Sequence, residues 1–234
     1  MSATTNPRNV YVIIPAYNEE KSIAKVIHDI PKNIVTEVIV GNNNSKDKTA
    51  QVAKEAGAIV VDEPTPGYGN ACLKGISYLK DKAKDDDIIV FMDGDYSDYP
   101  EEIVKIIAPI QNQIADLVIG SRALGVKEKG AMTIPQEFGN WLATRLIKLF
   151  YGVKFSDLGP FRALTWGNLQ EINMQDKTYG WTVEMQIKAA KLNLRCTEVP
   201  VTYRKRIGVS KVSGTVKGVI LAGYKIIWMI FKNL

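Results

Sequence analysis

The sequence predicts an α/β fold built on a mostly parallel sheet flanked by helices. Two observations carry that prediction. Apolar runs such as residues 10–14 and 88–91 lack the alternation of half-exposed strands, so they read as strands buried on both faces. These runs also alternate with amphipathic helical stretches across short loops. Right-handed crossovers turn that order into a parallel, doubly wound sheet.

In chain order, residues 10–14 form the first strand, stopped by Pro15. Asn18 is expected to cap the next helix, with Glu19 and Glu20 in its first turn, where the helix dipole favours acids. Ile23, Val26, Ile27 and Ile30 give that helix its buried stripe. Residues 37–41 are the second strand; the polar turn 42–49 follows, and a helix runs to Gly57. The third strand, 58–61, leads through the loop 64–69 to a helix with Cys72, Ile76 and Leu79 inward. The fourth strand begins at Ile88. After it, Pro100 opens a helix that buries Ile103, Ile106, Ile107 and Ile110. Residues 116–120 are a fifth strand. Then the pattern loosens: a polar loop over 122–137, an amphipathic helix at about 138–151, and irregular chain through Arg162. Helices near 165–172 and 181–192 and a strand at 195–203 complete this part. A loop as long as 122–137 in a compact domain is usually functional.

The fourth strand ends on Asp93-Gly94-Asp95. Acids one residue apart on a strand face opposite sides. Just past the strand end, Gly94 is free to take unusual dihedrals, and both carboxylates can turn toward one hard cation. Carboxyl ends of strands are where open α/β sheets bind ligands. A plain polar turn is the competing reading, and Asp98 reads as a solvated turn acid.

Composition narrows the chemistry. The 234 residues can bury a substantial core, and the formal net charge is +5. Glu198 is the last acid. Seven of the 30 basic residues lie beyond it, so residues 1–198 hold 23 against 25 acids. The excess therefore sits in the tail, which points to a phosphate or an acidic membrane surface and away from nucleic acid. His28 is the sole histidine and is expected on a solvated face, which excludes a histidine-based triad or a multi-histidine zinc site. Cys72 and Cys196 match no metal or redox spacing, so a reduced cytosolic setting is expected. The N-terminus lacks the apolar core of a signal peptide. At 214–232 an apolar segment is interrupted by Lys217 and Lys225, which fall with Lys232 within about 80° on a helix. An interfacial membrane helix fits that stripe better than a span; a terminal helix packed on its own domain is the alternative.

Several segments, in order, resemble the inverting family 2 glycosyltransferases of GT-A type, in particular the dolichol-phosphate mannose or glucose synthase branch. They are Ile14-Pro-Ala-Tyr-Asn-Glu-Glu20, residues 42–49, Gly67-Tyr-Gly69, Met92-Asp-Gly-Asp95, Gly120-Ser-Arg122, residues 155–162, residues 178–184 and residues 203–211. The resemblance implies a Rossmann-like GT-A domain over 1–213, with a nucleotide-sugar half at about 8–121 and an acceptor half at about 122–213. An amphipathic membrane-associating helix at 214–234 would follow.

The roles it implies are specific. Pro15, Tyr17, Glu19, Asn42, Gly67, Gly69, Asp93 and Gly94 would hold a UDP- or GDP-hexose. Asn42 and Asn43 stand where the family usually has acids, and an amide both donates and accepts. Asp93 and Asp95 would hold Mg²⁺ or Mn²⁺. Arg122, Arg162, Arg206, Ser210 and Lys211 would bind the acceptor phosphate, with Asp95, Arg122, Arg206 and Lys211 central to catalysis. Asp157 and Glu184 read as structural or orienting acids. From interfacial chemistry rather than from the resemblance, Trp141, Arg145 and Lys148 on the 138–151 helix could face lipid headgroups, with core packing of that helix's apolar half the alternative.

A hydroxyl acceptor needs a general base, whereas a polyprenyl phosphate is already an anion. The chain has no catalytic histidine, and around 180–184 it lacks the Glu-Asp pair that hydroxyl-directed relatives tend to present. The expectation is therefore inverting, metal-dependent transfer of glucose or mannose to a polyprenyl or dolichyl phosphate at the cytoplasmic membrane face. A separate membrane subunit or a homo-oligomer is a further expected partner. Two alternatives stand beside it: a hydroxyl-directed transferase with Asp157 or Glu184 as base, and a non-catalytic nucleotide-sugar-binding membrane module.

Overall fold

The computed structural model describes residues 8–208 and 216–234. Seven strands form one sheet: β1 (Val10–Ala16), β2 (Glu37–Asn42), β3 (Ile59–Asp62), β4 (Ile88–Phe91), β5 (Leu117–Ser121), β6 (Arg162–Thr165) and β7 (Cys196–Pro200). Their spatial order is β3-β2-β1-β4-β6-β5-β7. β1 pairs in parallel with β2 and β4, β2 with β3, and β5 with β7. β6 runs antiparallel between β4 and β5.

That inserted strand was expected as irregular chain. It is four residues long and begins on an arginine, too short and too polar at its start to show a period. Its consequence is spatial. Arg162 registers with Phe91, so the chain entering β6 arrives at the carboxyl end of β4. Leu158 and Pro160 are thereby brought to the cavity that Asp93 and Asp95 also line.

The helices are α1 (Ile23–Asp29), α2 (Thr49–Glu55), α3 (Tyr68–Leu79), α4 (Ile103–Gln111), α5 (Ile134–Tyr151), α6 (Trp166–Ile172), α7 (Trp181–Lys191) and α8 (Val216–Lys232). Strand residues of alternating parity feed two cores. Val10, Val12 and Ile14 pack with α1 and α4; Tyr11, Ile13, Ile89 and Phe91 pack with α3, α5, α6 and α7. β1, β4 and β5 are buried along their whole length, as expected of strands covered on both faces. Phe91 meets Trp181 edge-on at 5.7 Å, locking α7 to the sheet.

Three local expectations are corrected. Asn18 caps no helix: its backbone takes φ 53°, and its Oδ1 accepts from Lys46 N at 2.8 Å. Glu19 N donates to Thr49 Oγ1 at 2.7 Å and Glu20 N to Asp47 at 3.2 Å, so the loops after β1 and β2 brace each other. α5 begins four residues earlier than the expected 138, because Thr133 and Gln136 form a capping box with a proline in the first turn. The unusual backbone near the acid pair falls at Tyr96, φ 66°, and not at Gly94.

α8 packs on α5 and α7. Met229 and Ile230 enter the core, Tyr151 Oη donates to Ile230 O at 2.5 Å, and Phe150 lies against Phe231. Its other face leaves Leu221, Tyr224, Trp228 and Phe231 exposed. The segment thus packs on its own domain and keeps an exposed apolar face. Lys225 is not a free headgroup cation, for it pairs with buried Asp176 at 2.9 Å. Among the described residues no helix is long and apolar enough to cross a membrane.

Candidate active site

The carboxyl ends of β1 and β4 open into a cavity of about 770 Å³. Pro15, Tyr17, Glu19, Asn43, Gly67, Tyr68, Asp93, Gly94 and Asp95 line its mouth. The other end runs between α5 and α8, along Phe138, Leu142, Ala143, Ala222, Gly223, Ile226 and Ile227. One space thus joins an acidic mouth to an apolar groove.

Asp93 and Asp95 do converge. Asp93 accepts from Tyr68 Oη at 3.0 Å. Burial, and then the Asp95 charge, push its carboxyl up to about 6. Asp95 is buried and accepts from Ser97 N at 2.9 Å and Ser97 Oγ at 2.5 Å, and Arg206 pairs with its other oxygen. Asp98 is no solvated turn acid: it is 2% exposed, and burial beside Asp93 and Asp95 drives its carboxyl well above the ordinary carboxylate range. Its Oδ1 is buried without a hydrogen-bond partner among the described residues. Arg204 clamps this turn, donating to Tyr96 O and Asp98 O and stacking 3.4 Å over the Tyr96 ring.

The donor set suits a hard divalent cation. Two carboxylates share the site, Asp93 raised by burial and then by the Asp95 charge, and a cation would favour the ionised form of both. Among the described residues no third acid, histidine or cysteine completes a cage, so substrate phosphate and water would have to fill the shell.

The basic residues divide. Arg122 lines the cavity while Asp157 holds it at 2.6 and 2.8 Å, and Tyr203 lies beneath it at 5.1 Å. Arg206 also lines the cavity. Arg162 does not: it is fully buried and donates to the carbonyls of Leu158, Gly159 and Thr182, and burial lowers it to about 10. It ties the 158–162 turn to α7 and cannot meet a phosphate in this arrangement. Ser210 and Lys211 lie outside the described residues.

Two donor-side expectations also move. Asn42 is buried at the end of β2, donates to Asp62 at 2.7 Å and does not line the cavity. Asn43 instead fastens the loop before α3, accepting from Gly67 N at 2.7 Å and donating to Thr65 O at 2.7 Å. Gly69 lies outside the lining. A Cβ there would sit 2.0 Å from Asp176 O, so this glycine serves backbone packing of α3 on the 176–177 segment.

The comparisons with known proteins decide the family. A profile described as Glycosyl transferase family 2 matches residues 11–186. The chain belongs to glycosyl transferase family 2. The transferase is 33% identical to an uncharacterized glycosyltransferase of Mycobacterium tuberculosis, over 91% of this chain and 94% of that one. It is 28% identical to the undecaprenyl-phosphate mannosyltransferase of Micrococcus luteus, over 89% of each chain. In fold it matches glucosyl-3-phosphoglycerate synthase from Mycobacterium tuberculosis, solved with Mn²⁺, uridine diphosphate and glucosyl-3-phosphoglycerate. That match has a TM-score of 0.76 and 21% identity, and covers 97% of this chain and 80% of that one.

Two acids of the transferase are committed to structure. Asp157 is fully buried on Arg122, and Glu184 accepts from Gln175 N and Asp176 N and pairs with Lys188. Sequence reasoning missed Tyr68, Asp98, Tyr203 and Arg204. The Gly-Tyr-Gly run could have flagged Tyr68. The other three are placed by the bridge between Asp98 and Tyr203, a contact across a hundred residues that has no local sequence signal.

Proposed function

We propose that the transferase moves a hexose, glucose or mannose, from a UDP- or GDP-sugar to a polyprenyl or dolichyl phosphate, with inversion, at the cytoplasmic membrane face. One observation carries this reading: the acidic mouth and the apolar groove between α5 and α8 are one cavity. A soluble acceptor has no use for Leu142, Ala143, Ile226 and Ile227 beside the reacting atoms; a prenyl chain does.

In this reading residues 8–121 hold the donor, with Pro15, Tyr17, Glu19 and Gly67 around the nucleoside. Residues 122–213 hold the acceptor, and 214–234 associate with the membrane. Asp93 and Asp95 would hold Mg²⁺ or Mn²⁺, which when bound neutralises charge on the diphosphate leaving group. Tyr68 keeps Asp93 aimed at the mouth. Arg122 and Arg206, with Ser210 and Lys211 proposed beside them, bind the acceptor phosphate and hold its oxygen behind the anomeric carbon. That oxygen is already anionic, so its attack forms the new C–O bond as the nucleoside diphosphate departs, and no proton has to be removed. A hydroxyl acceptor would require a base, and Asp157 and Glu184 are buried in other pairings.

Purified protein, offered polyprenyl phosphate and a panel of nucleotide hexoses with Mn²⁺ or Mg²⁺, is expected to form glycosyl phospholipid detectable by mass spectrometry. Transfer to hydroxyl acceptors alone would overturn the proposal.

A further inference from the structure

A second pocket, of about 460 Å³, opens on a neighbouring face of α5. The groove uses Phe138, Gly139, Leu142 and Ala143; this pocket uses Glu137, Trp141, Thr144, Arg145 and Lys148, closed by Lys127 and Lys154. Its wall carries four cations, Lys127, Arg145, Lys148 and Lys154, against the carboxylates of Glu137 and Asp157. Both carboxylates are engaged, Glu137 by Lys127 at 2.8 Å and Asp157 by Arg122 at 2.6 Å. Arg145, Lys148 and Lys154 have no carboxylate partner among the described residues. A concave wall of unneutralised cations is an anion site in search of its ligand.

We propose that this pocket takes the phosphate headgroup of an anionic bilayer lipid and seats the transferase on the membrane beside its acceptor groove. Charge complementarity supplies half of the case. The other half is Trp141, which stands between Phe138, 5.9 Å on one side, and Arg145, 5.9 Å on the other. An exposed aromatic at the border of an apolar and a basic surface is the arrangement of a membrane interface. The apolar surface continues along Leu149 and Phe150 to Phe231 of α8, which a free phosphate ion would not need. The site adjoins the transfer centre, with Met132 and Asn140 lining both spaces, and it rests on the membrane-facing part of the proposed function. A vesicle assay without donor or acceptor tests it apart from turnover.

The test is flotation of the full chain with vesicles of phosphatidylcholine alone or mixed with phosphatidylglycerol. The wild type is expected to float with the mixed vesicles and to be released by salt. The double variant Arg145→Gln, Lys148→Gln should bind them about 30-fold more weakly. Lys32→Gln, Lys54→Gln removes the same charge from exposed sites elsewhere and should bind nearly as the wild type does. Equal loss in both double variants, or salt-insensitive binding to phosphatidylcholine alone, would overturn the site. So would inorganic phosphate raising the melting temperature through Arg145 and Lys148 with no vesicle binding. Should the first double variant fail to fold, Lys154→Gln with the wild-type salt titration decides the same point.

Discussion

The guanidinium of Arg206 sits on the carboxylate of Asp95, joining residues 111 positions apart. Ile207 N also donates to Asp95 O at 2.9 Å, so the 204–207 segment is laid along the acid turn. In the proposed mechanism Arg206 must leave Asp95 for the acceptor phosphate as the metal and donor arrive. Arg206→Ala should therefore tighten Mn²⁺ binding to the donor-free enzyme, read by titration, while lowering turnover by about 100-fold. Unchanged turnover would remove Arg206 from the chemistry.

Asp93 is held near 6, above the 3.8 of a free carboxyl, chiefly by burial and then by Asp95. The folded state thus binds the more protons between those values, and this group's contribution to stability falls as pH rises from about 4 to about 6. Asp93→Asn should abolish turnover yet stabilise the metal-free protein at neutral pH by about 1 kcal/mol or more. Thermal melts across that pH range check it; a variant less stable at every pH would contradict the electrostatic account.

Gly223 lines the groove, and a Cβ there meets nothing within 4 Å. Gly223→Phe should fold and fill the channel. The expected result is a rise of about tenfold or more in KM for long-chain polyprenyl phosphate, with a short-chain prenyl phosphate little affected. An equal effect on both acceptors would mean that the chain lies elsewhere.

Asp157→Asn removes the fully buried charge that pairs with part-buried Arg122 and should cost about 3 kcal/mol of stability. If Asp157 is structural, the folded fraction keeps the wild-type pH–rate profile; a lost acidic limb would instead identify it as a general base.

The parallel half of the sheet was readable because β1, β4 and β5 are buried on both faces and so appear as unbroken apolar runs. The burial of Ile103, Ile106, Ile107 and Ile110 followed from helical period in the same way. β6 was not readable. Its four residues gain their stability from ladders on both sides, and nothing local announces them. Arg162 shows the same limit. An arginine after Gly-Pro-Phe reads as a loop cation, and only the three carbonyls converging on it reveal a fully buried clamp.

By itself, then, the sequence determined which residues could do the chemistry: an acid pair at a strand end, a histidine-poor chain and a basic tail. The tertiary structure decided which of them meet. It kept Asp93, Asp95, Arg122 and Arg206 in one cavity, withdrew Arg162 and Asn42 into hydrogen-bonded interiors, and added Tyr68 and Asp98. The division has a physical cause. Periodicity and turn chemistry act over a few residues and are written locally, whereas the desolvation and pairing of a charge depend on chain that arrives from a hundred residues away.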